Sequence, residues 1–124
     1  MPDTATWDVL DRRAIDDLVG DGGAERVLGA LMSDTPSPED RARQMAALAV
    51  AGDVSGLKAE THAFQTWAEK HGLKRLGNML VELDRVLALP ARGQAILQAQ
   101  ALTRMIERTL DDDIKAFKRA VTSG

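Results

Sequence analysis

Leu73, Leu76, Leu80, Leu83 and Leu87 recur at alternating steps of three and four residues, and this spacing constrains the fold more than any other feature of the chain. At about 100° per residue it draws a single apolar stripe along a helix, which Met79 and Val86 widen. The alternation of two that marks a half-buried strand is nearly absent: Val and Ile are scattered, and almost every apolar residue recurs at three or four. The chain is therefore expected to be all-α.

Stop and start signals divide that pattern into segments. A first short helix is expected over Asp8 to Val19, with Val9, Leu10, Ile15, Leu18 and Val19 inward, ended by Gly20-Asp21-Gly22-Gly23. The next begins near Ala24 with Val27, Leu28, Leu31 and Met32 on one side, and then meets Pro36 and Pro38. Those prolines admit a kink within one helix or a break with a fresh start at Ser37 as N-cap and Pro38 at the first helical position. The break or a strong kink is favoured. A segment from Pro38 to Ala51 follows, with Ala42, Met45, Leu48 and Ala49 as its seam and Gly52 as its stop.

Asp53 is placed to cap a helix running to about His71, closed by Gly72. Leu73 to Leu89 comes next, then Pro90 and Gly93, then a long helix from about Ala91 to Val121. Its inward positions are expected to be Leu97, Leu102, Met105, Ile106, Leu110, Ile114, Phe117 and Val121. Connections this short set neighbouring helices side by side. The expected architecture is an antiparallel, up-down four-helix bundle with a short N-terminal lid helix, one domain over residues 1–124.

Composition excludes several function classes. With 124 residues and no cysteine, the chain has neither disulfides nor thiolate metal sites. The charge is −3 overall, with ten acidic and three basic side chains over residues 1 to 40 against nine acidic and thirteen basic over the rest. No dense basic stripe appears, and aromatics make up 3%, so nucleic-acid binding lacks both its electrostatic and its stacking footprint. No apolar run is long enough to span a bilayer, and the first residues lack the pattern of a secretory signal, so the expected location is the cytoplasm.

The candidate chemistry rests on one histidine. On the helix after Asp53, His62 lies roughly 160° around the axis from Phe64, while Leu57, Phe64, Trp67, Ala68 and His71 share the opposite side. An imidazole facing solvent from a rigid helix is poised for solution chemistry. His62 and His71 are nine residues apart and point to opposite sides, so they cannot chelate one metal ion. His71 is better placed to bond the last carbonyls of its helix. Asp111, Asp112 and Asp113 fan out over about 200° and read as a solvated face. Trp67 sits at core azimuth, although Trp7 and Trp67 are also candidates for packing on a partner helix. The helical pattern places no Ser, Cys or Asp to complete a hydrolytic triad, leaving His62 to act alone or with a partner protein.

In this setting the chain resembles histidine-containing phosphotransfer (HPt) domains of bacterial phosphorelays. The matching run is Ala49-Val50-Ala51-Gly52-Asp53, then Leu57, His62 and Phe64, then Gly72, then Arg75-Leu76 and Leu80 to Leu83. Val9-Leu10-Asp11, Leu18-Val19-Gly20 and Val27 to Met32 match the lid and first bundle helix. The resemblance implies a phosphoryl carrier: Nε2 of neutral His62 accepts the group from an aspartyl-phosphate on a response-regulator receiver domain and returns it to another. It implies no cofactor in this chain, because the Mg²⁺ belongs to the receiver, and it allows a hybrid sensor histidine kinase as a further partner. Where the family usually has Lys and Gly three and four residues after the histidine, this chain has Gln65 and Thr66. Lys58, one turn before His62, can supply the missing charge. Lys58, Gln65, Thr66 and Glu69 are the expected phosphate or partner contacts. The alternative is an HPt-like scaffolding or inhibitory module that binds receivers or kinases without efficient transfer.

Overall fold

A computed structural model describes residues 8–20, 22–33, 37–90 and 92–123. Six helices account for nearly all of them: α1 (Arg12–Gly20), α2 (Gly23–Ser33), α3 (Pro38–Ala51), α4 (Val54–Lys70), α5 (Lys74–Leu87) and α6 (Arg92–Ser123). No strand occurs among the described residues. None of these helices is long and apolar enough to cross a membrane.

The caps form where the sequence places them. Ser37 has extended backbone (φ −67°, ψ 159°), its side chain accepts from the Asp40 N–H, and Pro38 occupies the first helical position, so α3 is a fresh start. Residues 34–36 lie outside the described residues. Gly52 ends α3 in the left-handed conformation at φ 73°, and the Asp53 side chain then accepts from the Gly56 N–H to open α4.

The core lies where α3, α4, α5 and α6 meet, through contacts of α3 with α4, α4 with α5, α5 with α6, and α6 with α3. Leu57, Phe64 and Ala68 of α4 and Leu76, Met79, Leu80 and Leu83 of α5 belong to one cluster, all nearly inaccessible to solvent. From α6 come Ala95, Ala99, Leu102, Ile106, Leu110 and Phe117. Burying each large side chain contributes about 1.5–3 kcal/mol, so this shared seam is the main source of stability. α1 and α2 pack on each other and both reach α6.

The structure departs from the expected pattern in four places. α1 starts at Arg12 rather than Asp8, because residues 9 to 11 run along the α4–α5 turn. There the Asp11 N–H donates to the Gly72 carbonyl at 2.8 Å, and the Arg75 N–H donates to the Val9 carbonyl at 3.1 Å. Met32 is 81% exposed, since Val27 and Leu31, one turn apart, already carry the buried edge of α2. Leu97 is 68% exposed, because the inward line of α6 begins with Ala95 and Ala99 and Leu97 falls about 200° away from Ala95. Asp113 is fully buried against Arg75 of α5 rather than solvated, while Asp111 and Asp112 are exposed. Burial raises the Asp113 carboxyl above its ordinary value, outweighing the Arg75 guanidinium beside it, which acts to lower it.

Candidate functional site

α4 fixes His62 through its neighbours. Thr61 and Phe64 are both completely buried, and the Thr61 hydroxyl donates to the Leu57 carbonyl at 2.7 Å, so its polar group needs no water. With residues 61 and 64 locked inward, helical geometry turns residue 62 outward. Its side chain is 57% exposed, as its azimuth implied.

The structure adds a partner that helical periodicity alone did not reveal. His62 Nε2 lies 2.7 Å from Oδ1 of Asp84, on the neighbouring helix α5. Asp84 is 22 residues away in sequence and falls on the edge of the Leu80, Leu83 and Leu87 stripe, where a carboxylate is expected simply to face water. The only available signal was indirect: α5 follows α4 after a three-residue connection, so its flanking polar positions were candidates to face His62. The side chains of His62 and Asp84 form a two-residue, water-accessible site carried on two helices whose inner faces are rigidly packed.

The other expected contacts divide. Thr66 donates its hydroxyl to the His62 carbonyl at 3.1 Å, which commits its proton and leaves the oxygen able only to accept. Gln65 is half-buried and donates through Nε2 to Glu69 at 3.2 Å. Glu69, two turns beyond His62, lines a cleft of about 170 Å³ together with Asp11, Gly72, Asn78 and Val81, rather than standing beside the imidazole. Lys58 is exposed and forms no ion pair among the described residues. One turn before His62, it lies within about 40° of it around the α4 axis. Gln65 and Glu69 are thus joined to each other, whereas Asp84 is the residue joined to His62.

His71 is a structural histidine. It caps α4, its Nδ1 donates to the Trp67 carbonyl at 2.8 Å, and its ring stacks on Trp67 with centroids 4.4 Å apart. Phe117 meets it edge-on at 5.8 Å. Trp67 is partly buried in this cluster, and Trp7 lies outside the described residues. Among the described residues no three His, Asp or Glu side chains converge as a metal site. No protein-family model, curated protein or solved structure matches the chain.

Proposed function

We propose that the protein is a histidine phosphotransfer module, with α3 to α6 read as an antiparallel, up-down four-helix bundle, α1 and α2 as its N-terminal cover, and His62 as the phosphoryl acceptor. The observation that carries this reading is the exposed His62 on a helix whose adjacent residues Thr61 and Phe64 are wholly buried. A phosphoryl carrier requires little more than a nucleophile on a rigid post that a partner can approach. The partner supplies the rest: a receiver domain contributes the aspartyl-phosphate and the Mg²⁺ that neutralises charge in the transition state. In this chain the ring of His62 is the nucleophile, Asp84 orients it, and Lys58 offers positive charge to the phosphoryl oxygens. Ala59 and Ala63, both exposed and both on one side of His62 around the α4 axis, keep that side low for a docking partner. The expected location is the cytoplasm, where receiver domains act.

A second reading is favoured by a different observation. Gln65 and Glu69 satisfy each other and Asp84 occupies Nε2, an arrangement that suits a receiver-binding scaffold with little transfer.

The test is incubation with a phosphorylated receiver domain and recovery of acid-labile, alkali-stable phosphate on the protein, with His62→Gln as control. Label on the native chain and none on the variant supports the carrier. Label that persists in His62→Gln rules out His62 as acceptor, and binding without label from any receiver of the source organism favours the scaffold.

A further inference from the structure

We infer that the cavity where α1, α2 and the C-terminal end of α4 meet is a binding site for a small phosphate monoester, held by Arg26 and Lys70 and sharing one proton with Nε2 of His71. The cavity has a volume of about 240 Å³. It is remote from His62: the nine residues to His71 are roughly 13 Å of helix and end on the opposite side of α4. The inference is independent of the carrier reading. Leu18 of α1 and Val27 and Ala30 of α2 form an apolar wall, and Arg26, Lys70 and His71 form the polar one. Neither Arg26 nor Lys70 makes an ion pair among the described residues. Two such cations beside an apolar recess match an anion with a short carbon body. Arg26 is also fitted to its place. Gly22 does not have a positive φ, so its backbone does not call for glycine. A Cβ there would instead stand 2.5 Å from Arg26 Cδ, so the bare Gly22 lets the Arg26 stem lie along the cavity.

His71 chooses among anions. Its Nδ1 donates to the Trp67 carbonyl, which can only accept, so in the neutral ring Nε2 holds the lone pair. The residue is 8% exposed and lines the cavity, and Nε2 has no hydrogen-bond partner among the described residues. A sulfate ester has no proton near neutral pH and sets lone pair against lone pair there. A phosphate monoester takes up its second proton at about pH 6, so its P–OH donates to Nε2, or the proton passes to the ring and the imidazolium donates back. Either way the ligand itself brings the proton, and its other oxygens accept from the Arg26 guanidinium and the Lys70 ammonium. Around the ring, α6 presents Phe117, α2 presents Arg26 and α4 presents Lys70. Asp17 of α1 shares an adjoining depression with Lys70 and opposes the anion from that side.

The experiment titrates the full chain with ethyl phosphate, ethyl sulfate and inorganic phosphate, read by amide shifts and by long-range nitrogen–proton correlation in the His71 ring. The expected result is saturable shifts at Leu18, Val27, Ala30 and Lys70, with Nε2 of His71 moving away from its lone-pair position. Ethyl phosphate should bind several-fold tighter than ethyl sulfate at about pH 6 and lose that advantage by about pH 8. It should also bind tighter than inorganic phosphate, because its carbon body meets the apolar wall. Arg26→Ala and Lys70→Ala, both at exposed positions, should each weaken binding about tenfold with helical content unchanged, and Asp17→Asn should strengthen it. Equal affinity for ethyl sulfate at the lower pH, shifts gathered at residues 58–66 instead, or no saturable shift with ethyl phosphate overturns the inference. Tighter binding of a phosphoserine peptide than of ethyl phosphate overturns the small-ligand assignment in favour of a phosphorylated partner.

Discussion

Gly52 and Gly72 both adopt the left-handed conformation, at φ 73° and 67°, yet their surroundings differ, and this separates two costs that are usually confounded. A Cβ added at Gly52 meets nothing closer than a methyl of Ile96 at 3.8 Å. At Gly72 it meets the Asp11 carbonyl oxygen and Cγ1 of Ile15, each at 2.9 Å, and the Ala14 Cβ at 3.3 Å. Gly52→Ala should therefore cost only the left-handed strain, about 1–2 kcal/mol. Gly72→Ala bears the same strain plus overpacking, about 1–3 kcal/mol more, because the Asp11 oxygen is backbone and Ile15 is almost fully buried. With unfolding entropy of about 2.1 cal/mol/K per residue, each kcal/mol lowers the Tm of this chain by about 4 °C. Urea and thermal denaturation of both variants measure the difference directly. In Gly72→Ala, exchange of the Asp11 amide, which donates to the Gly72 carbonyl, should also accelerate selectively as residues 9 to 15 lift away. Equal destabilisation of the two variants, or a milder effect at Gly72, would refute the packing of the α1 entry against the α4–α5 turn.

Other predictions concern the charged groups. Asp113→Ala leaves Arg75 largely buried without its partner and should cost about 3 kcal/mol by urea denaturation, the low end of the usual range because the Arg75 side chain retains 18% exposure. Because burial raises the folded-state value of Asp113 above its ordinary 3.8, its contribution to stability is complete below that value and is lost as pH rises through the raised one. Asp113→Asn should therefore gain stability relative to the native chain as pH increases across that window, and denaturation at a series of pH values will find the opposite slope if the carboxyl is not desolvated. Arg85→Ala removes an exposed pair with Glu82 and should change stability by less than about 0.5 kcal/mol, measured the same way. Lys58→Ala should slow phosphoryl transfer from a receiver several-fold in a single-turnover assay while leaving thermal stability unaltered, and an unchanged rate would remove Lys58 from the site.

Much of the fold was legible because its punctuation is local. Ser37-Pro38 and Gly52-Asp53 set helix ends through bonds that span five residues or fewer, and the phase of His62 followed from Phe64 two residues away. The misplacements share a cause: a helical period gives the azimuth of a side chain on its own helix but not what the next helix presents to it. Leu97 and Met32 have the hydrophobicity of core residues and the wrong neighbours. Asp113 reads as one of three surface acids until Arg75, 38 residues earlier, is brought beside it. Asp84 was missed for the same reason, and with it the pairing to His62.

The last of the described helices holds a further consequence. α6 contacts α1, α2, α3 and α5, so it joins the first of the described helices to the last. A nascent chain that has emerged through Leu89 has α3, α4 and α5 but no Leu102, Ile106, Leu110 or Phe117 to complete their apolar faces. Those faces stay open for the whole time α6 is being synthesised, when chaperone capture or aggregation competes with folding. The rigid post that presents His62 is thus assembled last, and as a whole.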